Sequence, residues 1–600
     1  MKHSAATNKR VIEFAGLKLD TTERQLRRQN GESVQLSRRH FDALLCFIDH
    51  AGRLVDKRTL MDRVWRGVVV EDNTLSRTVS ALRKQLGECA GENRFISTVP
   101  GIGYRFLPSI QIFESPEVVE AKPLPSIGVL AFADLSRERD HGHLSIGLGE
   151  ELLHRLTHIE GIRVIAGYSS FKLNATPADV LQAKEGLRAD YLVTGAVRKD
   201  KARLRINVQL SATASDEIVW SQQFDRQITD VFQVQQEIAS AVAWALSEPL
   251  KIDPKLVARG DTTSLAAYDL YLQGLSFTYK SGGPPLLQAV DTFRKAILLD
   301  DSFAPAWCAL AACYHALRIV LPERTAEFQA GLEEASNKAT EYAPDSWRSH
   351  VAQSQLHSAR GNWKEMSESL RMASELVPGS PFNLSVQWAV LNAQVGEIGR
   401  AIHWLRECVR SNPLSLMVSS FHQLVLHMAG REAEAEAEYL RSRDLPGDRD
   451  MVEHIAVLRA WTRGGEFRSE LERYLTHQSL PVPVLSEIVD ILDDSDTVIG
   501  KLLEACDSAL YGDPMRQVIL SWWLARYGED EAAMTRIECA YLELNYTNVS
   551  FLWLPVFGPI RRNARFVEIL DKRGLLHYWN SVDSWGEFCE PTAENGLACS

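Results

Sequence analysis

The sequence is poor in cysteine: nine occur in 600 residues, and no two of them form a CxxC pair. Its first residues also lack an apolar run of secretory length. This pattern does not suggest a disulfide framework, so we predict reduced thiols and a cytoplasmic protein. Long hydrophobic runs are scarce too. The nearest approach, residues 303–322, contains His315 and Arg318, so we interpret it as a buried helix and predict no membrane partner.

Signatures of catalysis are also missing. The glycine-bearing residues 142–149 lack the Lys-Ser/Thr of a phosphate loop, and in GYSSF Phe171 replaces the second glycine of a nucleophile elbow. His154 and His158 share a helix face, which leaves open a metal site or an ordinary histidine pair. We predict no enzyme, no catalytic residue, no cofactor and no metal. An enzyme with its site in residues 126–250 is the weakest alternative.

Positive charge is concentrated at one end of the chain. Residues 1–108 hold 19 Lys and Arg against 12 Asp and Glu, a net charge of +7. The other residues hold 47 basic against 66 acidic side chains, a net charge of −19. A basic head attracts polyanions, whereas an acidic body does not. This asymmetry favours a nucleic-acid reader over an enzyme.

The length predicts several domains, because one hydrophobic core rarely organises 600 residues. In residues 1–112, short alternating segments at 11–36 predict a small antiparallel sheet, and residues 95–106 predict a hairpin with a tight glycine turn. Apolar residues at helical spacing predict three helices between them: one capped by Ser37, one at Lys57 to Arg66 and one at about Asp72 to Leu86.

The third helix carries the candidate binding residues. Leu75, Val79, Leu82 and Leu86 form its core stripe, so a small, polar and basic face lies opposite and can enter a DNA major groove. With the hairpin, the predicted DNA-binding residues are Asn73, Thr74, Arg77, Thr78, Ser80, Ala81, Arg83, Lys84, Gly101, Gly103 and Arg105. For Arg83 and Arg105 an alternative stays open, in which the side chain packs over the core and forms a salt bridge.

The head resembles the OmpR/PhoB-type winged helix-turn-helix through the stretches WRGVVVEDNTLSRTVSALRKQLG and FISTVPGIGYRF. The resemblance implies double-stranded DNA as partner, with a recognition helix at Asp72 to Leu86 and a wing at Val99 to Phe106. It also implies a contact with RNA polymerase near Trp65 to Asp72. Such modules commonly occupy direct repeats, so association of two chains as a homodimer is a further expectation.

Strand and helix patterns alternate in residues 126–250, after a linker at 113–125, which predicts an α/β layer completed by a hairpin. The segments LPSIGVLAFADLS, ADYLVTGAVRK and WSQQFDR resemble the TolB-type amino-terminal domain that accompanies some regulators and nucleotidyl cyclases. The resemblance implies a fold and a regulatory setting, and no catalytic residues.

Residues 262–580 read as helical repeats. The run WCALAACY fits the tetratricopeptide pattern, and Pro344, Pro378 and Pro413 each follow a small residue by five positions at tetratricopeptide spacing. Stacked repeats bind peptides or ligands in a groove, although a spacer or dimer surface is an open alternative. Residues 553–579 resemble a closing segment and predict a C-terminal cap, and we expect a flexible tail at 581–600.

The predicted fold is therefore multidomain: an α+β winged helix, an α/β TolB-like domain and an all-α tetratricopeptide-like solenoid. This order resembles the invasion-locus transcriptional activators. It implies a sequence-specific DNA-binding transcription regulator, expected to be an activator, whose repeats sense or bind a protein or peptide partner. The alternative is a tetratricopeptide interaction scaffold with a basic docking head.

Overall fold

The computed structural model forms two compact units, Met1–Pro123 and Leu124–Ser600. It describes residues 10–15, 17–20, 25–28, 33–34, 36–48, 54–64, 72–88, 94–99, 102–108, 111–114, 124–136, 147–150, 152–153, 156–157, 162–171, 183–200, 203–227, 234, 237–238, 241–242, 244–245, 264–279, 283–321, 324–377, 381–445, 457, 467–477, 483–506, 514–582, 584–592 and 597–599.

In the residues that the structure describes, the first unit combines two sheets and three helices. Its elements are β1 Arg10–Phe14, β2 Leu17–Asp20, β3 Gln25–Arg28, β4 Ser33–Val34, α1 Arg38–Ile48, β5 Leu54–Asp56, α2 Lys57–Val64, α3 Asp72–Leu86, β6 Ile96–Val99, β7 Gly103–Phe106 and β8 Gln111–Glu114. One sheet has the order β4-β3-β2-β1-β8 and the other β5-β7-β6. Three predicted helices and the hairpin are confirmed.

One boundary differs from the prediction. Helix α2 is described as far as Val64, and residues 65–71, which include the predicted helix end at Arg66 and the predicted polymerase contact from Trp65 onward, lie outside the described residues. Strand β8 runs to Glu114 and pairs antiparallel with β1, with Ile112 opposite Ile12. The head therefore continues past the expected end at residue 112, because backbone pairing with the first strand holds the next residues in its sheet.

Local capping explains where two of the head helices begin. The Ser37 hydroxyl accepts a hydrogen bond from the His40 amide at 3.3 Å, which confirms the predicted cap of α1. Asp56 plays the same role for α2, because its carboxylate accepts a bond from the Thr59 amide at 2.9 Å. Each cap satisfies a backbone donor that the first helical turn leaves without a partner.

The second unit begins with a mixed sheet. Its strands are β9 Ser126–Val129, β10 Ala133–Asp134, β11 Arg163–Val164, β12 Tyr191–Asp200, β13 Arg203–Ala212 and β14 Ile218–Gln227. The order is β11-β9-β12-β13-β14, with β10 also on β12. Neighbours are parallel up to β12 and antiparallel from β12 to β14. The predicted α/β layer with a terminal hairpin is confirmed. Buried and exposed residues alternate along β13, as expected for a strand with one face on the core.

Helices α4 to α22 dominate the remainder of this unit. They are α4 Gly167–Ser170, α5 Leu265–Thr278, α6 Gly283–Leu299, α7 Ala304–Val320, α8 Thr325–Tyr342, α9 Trp347–Arg360, α10 Trp363–Leu376, α11 Phe382–Gln394, α12 Ile398–Ser411, α13 Leu416–Met428, α14 Glu432–Ser442, α15 Phe467–His477, α16 Pro483–Ile488, α17 Ser495–Cys506, α18 Pro514–Arg526, α19 Asp530–Glu538, α20 Gly558–Arg561, α21 Ala564–Lys572 and α22 Leu575–Val582. Short 3-10 and π turns occupy 489–491, 539–543, 550–553 and 555–557.

Consecutive helices from α5 to α14 pack in pairs, as a tetratricopeptide-like repeat predicts. The small residues Ala339, Ala373 and Cys408 are fully buried where the second helix of a pair meets its neighbours. The apolar residues 303–322 contribute α7, and among the described residues no helix has the length and apolarity to cross a membrane.

The mixed sheet and the repeats are not separate domains. Val193 and Ile206 of the sheet lie in one apolar cluster with Tyr271 and Leu272 of α5. A second junction joins α4 to the turn before α13, where the Leu414 amide donates to the Ser169 hydroxyl at 2.9 Å. Two contacts at distant points of the chain make the sheet and the repeats one body. The sequence pattern instead predicts separate domains at 126–250 and 262–580.

The described residues of 545–588, here called the cap, fold back onto the turn between α11 and α12. Its indole donors reach across: Trp579 Nε1 donates to the Val395 carbonyl at 2.9 Å and Trp553 Nε1 to that of Gln394 at 3.2 Å. Gly586 has a positive φ of 69°, and a Cβ there would lie 2.9 Å from the Val395 carbonyl oxygen. The predicted cap therefore packs on the middle of the repeat array.

Two expectations for the C-terminus are wrong. The flexible tail was expected from residue 581, yet Phe588 stacks on Trp553 at 5.3 Å and Glu587 accepts a bond from the Gly399 amide at 2.6 Å. The thiols were expected to be reduced, yet Cys589 and Cys599 form a disulfide across strands β15 Cys589–Pro591 and β16 Leu597–Cys599. Packing of aromatic side chains, invisible in the sequence pattern, orders this end.

Candidate nucleic-acid interface

Helix α3, the predicted recognition helix, separates a buried stripe from an exposed one. Leu75, Val79, Leu82 and Leu86 are each at most 2% exposed and lie in the head core. On the other side Arg77, Ser80 and Lys84 are exposed. Because these three recur at helical spacing, they form one polar and basic strip along the helix. Among the described residues, no hydrogen bond or ion pair occupies their side chains, so the strip is available to a ligand.

The flanks of the strip are half-buried. Thr74, Thr78 and Ala81 each keep part of their surface accessible. The Thr78 hydroxyl donates to the Thr74 carbonyl at 2.9 Å, so only its lone pairs remain for a DNA donor. The side chain of Asn73 and the whole of Gly101 lie outside the described residues, although the backbone of Asn73 belongs to α3.

Arg83 points at the protein, in line with the alternative left open from the sequence. Its Nε and Nη2 both donate to the Ile96 carbonyl, at 3.1 and 2.7 Å, and Nη2 also donates to the Thr98 hydroxyl at 2.8 Å. Nε lies 3.6 Å from a carboxylate oxygen of Glu88. The guanidinium thus joins the end of α3 to strand β6.

Gly103 is needed for packing. It is buried in β7, where an added Cβ would overlap the Val55 carbonyl oxygen and lie 2.9 Å from the Asp56 Cα. Only glycine lets these strands approach so closely. Arg105, two residues along, is exposed on the same strand, and none of the described side chains forms an ion pair with it. Arg105 therefore stays a candidate for a phosphate, whereas the expected DNA contact of Gly103 has no support in the geometry.

Two exposed residues near the interface were missed. Ser76 is exposed between Asn73 and Ser80, and its hydroxyl lies 3.4 Å from that of Tyr104 on the wing. Helical spacing alone could have identified it, since it lies three residues after Asn73. Ile102 is 53% exposed at the turn of the hairpin. Because its side chain is apolar, a search for polar DNA-binding residues does not find it.

Metal ligation was an open alternative in the middle region. His154 and His158 lie outside the described residues. Among those that the structure describes, no group of three or more His, Cys, Asp or Glu side chains is arranged to hold a metal ion.

Known regulators match the head and part of the body. Residues 31–106 match the family described as "Transcriptional regulatory protein, C terminal". The Phosphate regulon transcriptional regulatory protein PhoB of Escherichia coli is 37% identical over 97 residues, 16% of this chain and 42% of PhoB. Transcriptional regulator HilA of Salmonella typhi is 21% identical over 398 residues, 64% of this chain and 67% of HilA.

Two further matches each cover a third of this chain or less. The "Putative adenylate cyclase 3" of Rhizobium meliloti is 28% identical over 200 residues, and the chain spans about a third of that protein (34%). The solved RstA DNA-binding domain of Klebsiella pneumoniae, in complex with the RstA box, is 36% identical and covers 16% of this chain and 96% of its own, with a TM-score of 0.15. Residues 31–106 therefore match a winged-helix domain of the OmpR/PhoB type found in transcription regulators, and in this chain a mixed sheet and tetratricopeptide-like repeats follow it.

Proposed function

We propose that the protein is a sequence-specific DNA-binding transcription regulator. The observation that carries the proposal is the polar strip of α3, where Arg77, Ser80 and Lys84 are exposed opposite a fully buried stripe. An α-helix of this kind fits the major groove of B-DNA, and the excess of positive charge in the head favours a polyanion. Activation of transcription, as in the sequence-based hypothesis, belongs to the same proposal.

The strip supports distinct roles for its members. Arg77 and Ser80 stand at the middle of α3 and would face base edges, with Thr74, Thr78 and Ala81 beside them. Lys84, at the C-terminal turn, and Arg105 on the wing would hold phosphates. An arginine that binds guanine with two hydrogen bonds discriminates between bases, whereas a lysine on a phosphate does not. Asn73 and Gly101 keep their predicted DNA contacts as part of the proposal.

The decisive experiment is crosslinking of the full chain to DNA in cells followed by sequencing of the bound fragments. Enrichment of a shared short motif upstream of genes supports the proposal and identifies the targets. Uniform recovery of DNA without a motif, or none above the background of an Arg77→Ala/Ser80→Ala double variant, contradicts sequence-specific binding.

The acidic body is proposed to receive a signal as one unit. The sheet and the repeats share a core, so a protein or peptide bound by the repeats would act on the sheet as well. Contact with RNA polymerase near residues 65–72, association into a homodimer, a TolB-like origin of the sheet and a cytoplasmic location remain predictions within this proposal. Co-purification of the body with a partner that changes DNA affinity of the full chain would test it.

We propose action by binding, without catalysis. The support is that the family match and two of the three named relatives are transcriptional regulators, while the cyclase match covers 34% of that protein. Formation of cyclic nucleotide by the purified full chain from ATP would contradict this part of the proposal.

A further inference from the structure

A buried carboxylate and a guanidinium tie the end of helix α3 to the start of strand β6, which leads into the wing. Glu88 is 7% exposed, and its Oε2 accepts hydrogen bonds from the amides of Phe95 and Ile96 at 3.0 and 3.3 Å. The Glu88 amide donates to the Arg83 carbonyl at 2.9 Å, which holds the residue at the end of α3. Arg83 binds the carbonyl of the same Ile96 with two donors.

The two side chains together hold both backbone polar groups of Ile96, the first residue of strand β6. The Ile96 amide is bound by Glu88 and its carbonyl by Arg83, while the Arg83–Glu88 pair, at 3.6 Å, closes the cluster. Strand β6 then pairs with β7, which carries Arg105. A charge-assisted cluster of this kind is directional, so it sets the angle between helix and wing.

We propose that Arg83 and Glu88 are positioning residues that set the wing relative to the recognition helix, so that both reach their grooves on DNA together. The inference rests on the proposed function, because it concerns how the head binds DNA. Groups held in the bound geometry before association lose less freedom when they bind. Neither side chain touches DNA in this scheme.

Positioning by Arg83 and a phosphate contact by Arg83 predict different changes in DNA affinity for the same variants. A phosphate contact predicts that Arg83→Lys keeps most of the affinity, since lysine also binds phosphate as a point charge, and that Glu88→Gln binds slightly more tightly because a negative charge is gone. Positioning predicts that both variants bind more weakly. Lysine cannot replace the two-donor bond to Ile96, and the neutral amide of glutamine accepts more weakly than a carboxylate and loses the attraction to Arg83. We expect a loss of about tenfold for each.

The experiment uses the full chain and duplex DNA selected by the wild type from a random-sequence pool. Affinity is measured on the selected duplex and on copies shortened from the wing side until the wild type loses its wing contact. Salt dependence is measured as well. Lys84→Ala is the matched control: it lies next to Arg83, is exposed, and should lower the slope of log affinity against log salt by about 0.9.

The proposal is supported if Arg83→Lys and Glu88→Gln both weaken binding to the long duplex, match the wild type on the short duplex and leave the salt slope unchanged. It is overturned if Glu88→Gln binds at least as tightly as wild type, if Arg83→Ala lowers the salt slope as Lys84→Ala does, or if both variants lose affinity equally on the two duplexes, since that indicates loss of the whole head fold. Absence of wild-type binding to any selected duplex would instead refute the proposed function.

Discussion

Replacement of Gln394 by alanine should loosen the cap. This side chain is 7% exposed at the end of α11, and its two ends hold the cap backbone. Oε1 accepts hydrogen bonds from the amides of Val549 at 2.7 Å and Ser550 at 3.2 Å, and Nε2 donates to the Asn548 side chain at 2.8 Å. The substitution removes all three bonds at once.

The free energy lost in this variant depends on which hydrogen bonds the cap residues keep. The Ser550 amide keeps a second acceptor, the Asn548 Oδ1 at 3.2 Å, whereas the amide of the fully buried Val549 loses the Gln394 oxygen to which it donates. Three bonds at about 1 kcal/mol each, with one buried donor left behind, place the loss at about 3 kcal/mol. Opening of the cap should then become about a hundredfold more frequent.

Hydrogen exchange of the full chain, read by mass spectrometry on peptides covering residues 545–556, measures that opening. Gln288→Ala is the control, because Gln288 is an exposed glutamine on α6 of the same body. Exchange in 545–556 should accelerate for Gln394→Ala and stay unchanged for Gln288→Ala. Equal exchange in both variants would refute the role assigned to Gln394 in holding the cap.

Three further substitutions test the head and the body. Arg77→Ala should weaken the free energy of DNA binding by about 1 to 3 kcal/mol on a selected duplex and by much less on random DNA, whereas Lys84→Ala should weaken binding to both DNAs alike. Titration of each variant on both DNAs measures this difference. Equal losses for Arg77→Ala on the two DNAs would make Arg77 a phosphate contact. Gly103→Ala should destabilise the head by about 3 kcal/mol, because its Cβ overlaps the Val55 carbonyl; an unchanged thermal midpoint of the head would show that the strands can separate. Burial, followed by the nearby Arg318 charge, lowers the pKa of His315 to about 4. The unfolded chain then binds more protons between about pH 6.5 and 4, so stability should fall as the pH drops through this window, by about 3 kcal/mol, and His315→Leu should remove that share of the pH dependence in urea unfolding. An identical dependence in wild type and variant would contradict the assignment.

Helix α3 shows which structural features can be predicted from the sequence and which cannot. Apolar residues at positions 75, 79, 82 and 86 predict its bounds and its two faces, because a helical repeat maps spacing directly onto direction. The same spacing left Arg83 undecided. A residue on the flank of a helix can turn towards solvent or towards a neighbouring strand, and the position of β6 decides between them. Gly103 is similar, since a turn glycine and a packing glycine look alike in sequence.

Local pattern and charge by themselves determined the basic head, its recognition helix, the strand hairpin of the middle sheet and the period of the repeats, because each depends on residues a few positions apart. Tertiary structure alone decided the shared core of sheet and repeats, the return of the cap to Gln394 and Val395, and the pairing of Cys589 with Cys599. The contacts of the cap join residues more than 150 positions apart, and such partners are selected by which buried surfaces and polar groups complement each other once the helices have packed.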